Sequence, residues 1–198
     1  MAIIVDKIQK RKDIALSCKK LFVNKSISEL TIAQVAQTAG VGKGTIYEYF
    51  NNKEEIVFEV LNLLMQEYNI LKEQRIQKAP SSKEKIKVFF HFFYEKEEND
   101  LRKLYKEFIS ISLSKPQAQM IQFQSECSEK YFQWFRSIIQ EGIDKGELTR
   151  DAIHLARGLF VLGEGMFISS EVTNTIADVE KELAIFLDTL FELIEVKR

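Results

Sequence analysis

Apolar residues recur at helical spacing along almost the whole of this chain. Between about residues 5 and 25, Ile8, Ala15, Cys18 and Phe22 mark one face, with Ile14 and Leu21 beside them. Lys10, Arg11, Lys12, Lys19 and Lys20 fall mostly on the opposite face, so the pattern predicts an amphipathic, basic first helix. After a polar break at 26–30, Thr31-Ile32-Ala33-Gln34 has the form of a capping box that opens a second helix, and Gly40 ends it within three turns. A third short helix is expected from 42 to about 49. Asn51-Asn52-Lys53-Glu54-Glu55 then supplies a cap and an acidic first turn for a longer one reaching about 77. Ala79-Pro80-Ser81-Ser82 reads as a linker, with Ser81 and Glu84 forming a second capping box. Beyond it the spacing predicts helices at about 83–95, 100–113, 117–144, 151–170 and 176–196.

Composition agrees with this picture. Two prolines and eight glycines in 198 residues are too few for the turns of an all-β chain or a series of βαβ units, so an all-α fold of about nine helices is expected. A hydrophobic fraction of 45% is enough to build a real core. Cys18 and Cys127 are far apart and lack CxxC spacing; they read as buried core residues in a reducing compartment. The stretch 1–5 has only a brief apolar run, and no window approaches 18 uninterrupted apolar residues. The expectation is a soluble, cytoplasmic protein with no membrane partner.

Net charge is −1 for the whole chain but is unevenly placed. Up to Lys53 there are nine Lys and Arg against four Asp and Glu, whereas the rest holds 19 against 25. A small basic module, 1–53, is therefore expected to meet a polyanion, and a larger acidic body, 54–198, to do something else.

The stretch Ala39-Gly40-Val41-Gly42-Lys43-Gly44-Thr45 has the composition of a phosphate loop but not the spacing of one. A P-loop places glycine five residues before its Gly-Lys-Ser/Thr, whereas here Gln37 precedes Gly42 by five and Gly44 follows Lys43. The dinucleotide pattern GxGxxG fails at Thr45, and the preceding element is a helix. A helix-turn-helix accounts for every feature: a short helix capped at Thr31, a turn at Gly40, and a second helix whose start can reach base edges. Val35, Val41, Ile46 and Phe50 supply a small core. Lys43, Thr45, Tyr47, Glu48 and Tyr49 remain for the outside.

Residues 11–56 resemble the DNA-binding region of the TetR family of bacterial transcriptional repressors. The resemblance is carried by Ile14, Leu21-Phe22, Thr31, Val35-Ala36, Ala39-Gly40-Val41, Lys43-Gly44-Thr45-Ile46-Tyr47, Tyr49-Phe50 and Lys53-Glu54-Glu55-Ile56. It departs from the family's usual residues at Ser26, Val35 and Gly42. The last matters most, because a serine there would cap the recognition helix and touch a phosphate. The resemblance implies that Lys43, Thr45 and Tyr47 face the major groove, with Gly44 allowing close approach and Thr31, Tyr49 and Lys53 toward the backbone of a double-stranded DNA operator. Core packing is the competing expectation for Tyr47.

The resemblance further implies a homodimer and an effector cavity in 54–198, in which effector binding favours one arrangement of the long fourth helix and so sets the spacing of the recognition helices. Phe89, Phe93, Tyr105, Phe108, Phe123, Tyr131, Trp134 and Glu164 are the candidates for lining the cavity, which would suit an apolar or aromatic effector, or a cation where a glutamate points inward. Leu155, Leu159, Leu162 and Met166, then Leu183, Phe186, Leu187, Leu190 and Ile194, form stripes suited to a four-helix dimer interface, with Gly158, Gly163 and Gly165 permitting close contact. No cofactor or metal is expected. Asp151 and His154 make half of a carboxylate-x-x-His motif, His91 has no partner at that spacing, and no catalytic signature occurs, so a helical metalloenzyme is a remote alternative. A helical interaction protein without DNA binding is the other.

Overall fold

The computed structural model describes residues 6–114, 116 and 118–197. Val5 and Gln117, expected near the starts of two helices, lie outside the described residues. In chain order the α-helices are α1 (Lys7–Ser17), α2 (Lys19–Asn24), α3 (Ile32–Thr38), α4 (Lys43–Tyr49), α5 (Lys53–Lys78), α6 (Ser82–Phe90), α7 (Asn99–Ser114), α8 (Ala118–Asp144), α9 (Ala152–Val172) and α10 (Val179–Ile194). Short 3-10 turns lie at Ile27–Glu29, His91–Phe93 and Lys96–Glu98. Among the described residues the only β pairing is an isolated bridge between Leu148 and Glu195, and the all-α expectation holds.

The chain forms two compact units, Met1–Asn69 with Asp100–Pro116, and Ile70–Asn99 with Gln117–Arg198. This division does not coincide with 1–53 and 54–198. The first half of α5 keeps Ile56, Val57, Val60 and Leu61 buried in the first unit. Residues of α7 return to the same unit, where the Phe108 ring meets Phe58 edge-on at 5.1 Å.

In the first unit the expected single opening helix is two. Asp6 caps α1 by accepting from the amides of Ile8 and Gln9. At Cys18 the backbone amide bonds only three residues back, to Ala15, while the Ser17 hydroxyl donates to the Ile14 carbonyl at 2.7 Å. A serine hydroxyl that takes a helical carbonyl in this way competes with the backbone ladder and bends or breaks it. Ile14, Ala15, Cys18 and Phe22 are buried as the periodicity predicts, but Ile8 is exposed.

The second unit is an aromatic-rich helical body. Ile86, Phe89, Phe90, Phe135, Leu159, Leu183, Leu187 and Phe191 are buried in one cluster built from α6, α8, α9 and α10. Packing is tight at Gly163, where a Cβ would lie 2.5 Å from Phe90 Cδ1. Helix α6 stops at Phe90, short of the expected 95, and continues as the turn at His91–Phe93. The turn leaves Phe92 buried and places the Phe93 ring 5.8 Å from that of Phe167.

Helix α9 is long and apolar enough, by length and composition, to cross a membrane. Its Ala152, Ala156, Leu159, Gly163 and Phe167 are buried in the unit's own core, and Arg157 and Glu164 interrupt it.

Candidate functional site

The two short helices expected to meet DNA are present with their punctuation. The side chain of Thr31 accepts from the amide of Gln34 at 3.3 Å, and the Gln34 side chain accepts from the Thr31 amide at 2.9 Å, so both orphan donors at the start of α3 are satisfied. Gly40 has φ +66°, the left-handed conformation that lets the chain reverse immediately after α3. Val35, Ala36, Ile46 and Phe50 are buried and fix α4 against α3.

The outward face of α4 carries Lys43, Gly44 and Tyr47, all exposed, with Thr45 and Tyr49 half-buried. Tyr47 is 59% exposed, which removes it from the core. A Cβ on Gly44 would meet nothing within 4 Å, so no packing within the chain requires a glycine there; the bare backbone faces outward. Gly42 caps α4 without any side-chain hydrogen bond. Its φ of −72° suits any residue, and a Cβ there would find only Thr45 Oγ1, at 4.0 Å. Serine would fit, so sterics do not explain its absence.

Two basic residues have structural partners that the sequence did not reveal. Arg11, expected to contribute only general positive charge, donates Nη1 to the Tyr49 carbonyl and Nε to Glu59 Oε2 at 3.1 Å, and its guanidinium lies 4.1 Å from the Phe50 ring centroid. It therefore ties the last turn of α4 to α1 and α5, completing carbonyls that a helix end leaves unsatisfied. Lys53, expected on the DNA backbone, directs Nζ to the carbonyls of Leu30 and Ser28 at 2.7 and 3.3 Å. Those bonds position the segment ahead of α3. Glu107 accepts from the Ile27 amide and the Ser26 hydroxyl, each at 3.2 Å, within the first unit.

The candidate cavity residues separate. Tyr105 and Phe108 belong to the first unit, Phe108 buried against Phe58, whereas Phe89, Phe93, Phe123, Tyr131, Trp134 and Glu164 belong to the second. Of the latter, Phe89 and Trp134 meet edge-on at 5.5 Å, and Tyr131 stacks on Trp134 at 6.4 Å. Phe93 is packed over Gly163 beside Phe90. Phe123 and Glu164 are half-buried on α8 and α9. At the centre of the Phe89, Tyr131 and Trp134 group lies a residue not anticipated: Lys72, 4% exposed, its Nζ 4.4, 5.4 and 5.5 Å from the three ring centroids. Burial pushes this ammonium down from 10.5 to about 7, and the charge of Glu98 offsets part of the fall. The signal was present in the sequence, since Leu64, Tyr68, Lys72 and Ile76 are spaced four apart along the buried stripe of α5.

The expected dimer residues also divide. Leu159, Leu183, Leu187 and Ile194 are buried in the protomer's own core, and Gly163 is filled from inside by Phe90. Leu155 and Phe186 are exposed, Leu162, Met166 and Leu190 half-buried. The outward apolar face is instead completed by Val161, Ile168 and Val172 on α9 and Ile185 and Leu193 on α10. Both helices are apolar on more than one side, so spacing alone could not distinguish the inner side from the outer. Gly158 and Gly165 lie on the exposed side with open space around them. Among the described residues no three His, Cys, Asp or Glu side chains come together as a metal site.

The family model for bacterial regulatory proteins of the tetR family matches residues 18–60, the segment holding α3, the turn and α4. Over that segment the chain is similar to the TetR family. A curated relative, the fatty acid metabolism regulator protein of Bacillus subtilis (strain 168), is 25% identical over 166 residues, 82% of each chain. In fold, the chain is similar to a TetR-family transcriptional regulator from Cytophaga hutchinsonii, with a TM-score of 0.79, 18% identity and 99% and 100% of the two chains covered. It is also similar to a protein from Saccharomonospora viridis solved in complex with choline, with a TM-score of 0.76, 16% identity and 96% and 100% covered. These likenesses in fold run through the second unit, while the family-model match is confined to residues 18–60.

Proposed function

We propose that this protein is a ligand-responsive transcriptional regulator of the TetR family that binds a near-palindromic operator as a homodimer and is released from it by a small effector held in the second unit. The observation that supports this reading best is the outward face of α4. It is held by a capped α3, a left-handed turn at Gly40 and the Arg11 anchor, yet it leaves Lys43, Gly44 and Tyr47 with no structural task of their own. Lysine suits phosphate and guanine acceptors, threonine a phosphate or a thymine methyl, and tyrosine either phosphate or base.

Dimerisation is supported by the outward apolar face of α9 and α10, since such a face in water favours burial against a second copy. A two-fold pair of recognition helices would then read half-sites about 34–36 Å apart. The continuous helix α5 contributes residues to both units, so effector occupancy in one and DNA occupancy in the other can be coupled, with the same free energy in each direction. Repression is the sign of regulation proposed, and the cytoplasm the compartment. The relatives are regulators, and the proposed role requires no catalysis.

A mobility-shift titration on the DNA upstream of the protein's own gene, at two salt concentrations, tests this directly. Retardation only at nonspecific-binding concentrations would overturn operator recognition, and a monomeric mass at micromolar concentration would overturn the dimer.

A further inference from the structure

Helix α4 is seven residues, about 10 Å long, so a major groove that admits a helix receives both of its turns. Ile46 is buried and marks the inner side of α4. Gly44 and Glu48 each stand two residues from it, about 200° around the axis, so the line from Gly44 to Glu48 runs along the outermost ridge. Lys43 and Tyr47 flank this ridge on one side, Thr45 and Tyr49 on the other. Glu48 therefore lies at the centre of the face that the proposed function turns toward DNA, and it is the only acid on α4. It is exposed and makes no hydrogen bond or ion pair among the described residues. A helical side chain leans over the turn ahead of it. For Glu48 that turn begins at Gly44, where a Cβ would meet nothing within 4 Å, so the space is open.

An acid at this point is disfavoured twice, because the last turn of a helix carries partial negative charge and DNA carries phosphates along both edges of the groove. A lysine would suit both. An ionised carboxylate accepts hydrogen bonds and donates none, so phosphates, guanine O6 and N7, and thymine O4 all repel it. Only the amino groups of cytosine and adenine offer donors on the floor of the major groove, and beside the adenine amino group lies the N7 acceptor, which opposes a carboxylate. Cytosine N4 remains. We propose that Glu48 is a specificity-determining residue that accepts from the N4 amino group of one cytosine in each half-site and penalises any other base pair at that position. The inference rests on α4 being the DNA-reading helix and names what that helix reads. The bare backbone at Gly44 lets the ridge approach the base edges, so that a side chain of this length reaches them. Lys43 supplies attraction to DNA of any sequence, and Glu48 subtracts from it wherever the cytosine is missing, so the pair lowers affinity for wrong sites more than for the right one.

Sites are selected from a randomised duplex library by the full-length wild type, by Glu48→Ala and by Glu48→Gln, and affinities for the selected sites are measured by fluorescence anisotropy at one salt concentration. The wild type should select a C·G pair at one fixed position of each half-site, and replacing that pair should weaken binding about tenfold. Glu48→Ala should accept any pair there and bind unrelated duplex more tightly than the wild type does. Glu48→Gln should move the preference to A·T, since a carboxamide pairs with adenine N6 and N7. A further probe leaves the protein unchanged and alters the DNA. N4-methylcytosine at that position keeps the pairing hydrogen and replaces the groove-facing one by a methyl group, which should weaken the wild type about tenfold and leave Glu48→Ala unaffected. The proposal is overturned if Glu48→Ala selects the same sites with the same preferences, or if the methyl group affects both proteins equally. A wild type that selects no sequence at all overturns the regulator reading together with this one, whereas a selected site indifferent to Glu48 rejects this inference alone.

Discussion

Replacing Lys72 by methionine should stabilise the protein, and the gain should shrink as pH rises. The ammonium titrates at about 7 in the folded chain and at 10.5 when exposed. Below pH 7 both states carry the proton, and the folded state bears the whole cost of burying it. Between pH 7 and 10.5 the unfolded chain holds a proton that the folded chain has lost, so stability rises with pH across that window. At ~1.4 kcal/mol per unit, the cost below pH 7 is at most about 5 kcal/mol. Lys72→Met should therefore be more stable than the wild type by up to about 4 kcal/mol at pH 7 and by about 1 kcal/mol at pH 9.5. Urea unfolding followed by far-ultraviolet circular dichroism, at one protomer concentration, measures both differences. The upper pH stays below the range in which Tyr94 ionises, because burial first, and then Glu180, Glu95 and Glu84, push that phenol up. A variant less stable than the wild type at pH 7, or a difference unchanged between the two pH values, would refute the assignment of Lys72 as a costly buried cation.

Four further outcomes follow from the geometry. Gly42→Ser should supply the missing cap of α4, adding a few tenths of a kcal/mol of stability in thermal unfolding, and should tighten operator binding. Lys43→Ala should weaken DNA binding and reduce the slope of log affinity against log salt by about 0.9, one phosphate's worth; an unchanged slope removes Lys43 from the backbone contacts. Gly163→Ala should destabilise by about 1–3 kcal/mol as its methyl meets Phe90 and Phe93, whereas Gly158→Ala, with open space, should gain up to about 1 kcal/mol of helix propensity. Leu193→Glu, on the outward side of α10 at 76% exposure, should leave the protomer folded and shift sedimentation toward monomer; a dimer of unchanged stability would place the interface elsewhere.

The DNA-binding helices were legible because their determinants are local. Thr31 and Gln34 cap α3 across three residues, Gly40 supplies a turn that other residues adopt poorly, and Val35, Ile46 and Phe50 show their burial by spacing. Arg11 shows the limit of that legibility. In sequence it is one basic residue among several, and only the fold brings it across 38 residues to the Tyr49 carbonyl and across 48 to Glu59.

The second unit was legible as helices but not as a site. Its aromatic residues are numerous enough that periodicity marks nearly all of them as interior, and Phe108 could not be assigned to one unit or the other from spacing. The packing assigned it, placing its ring against Phe58. Along α9 and α10, apolar residues on more than one side left the inner and outer stripes interchangeable until Leu183 and Leu187 were found inside and Ile185 and Leu193 outside.

Helix positions, caps, the charge division and the nature of the α4 surface thus came from the sequence alone, since each depends on residues a few positions apart. The anchoring of α4 by Arg11, the outward side of the α9 and α10 pair and the aromatic cage around Lys72 belong to tertiary structure. Each joins groups far apart in the chain, and an isolated amphipathic pattern states that a face is buried without stating what buries it.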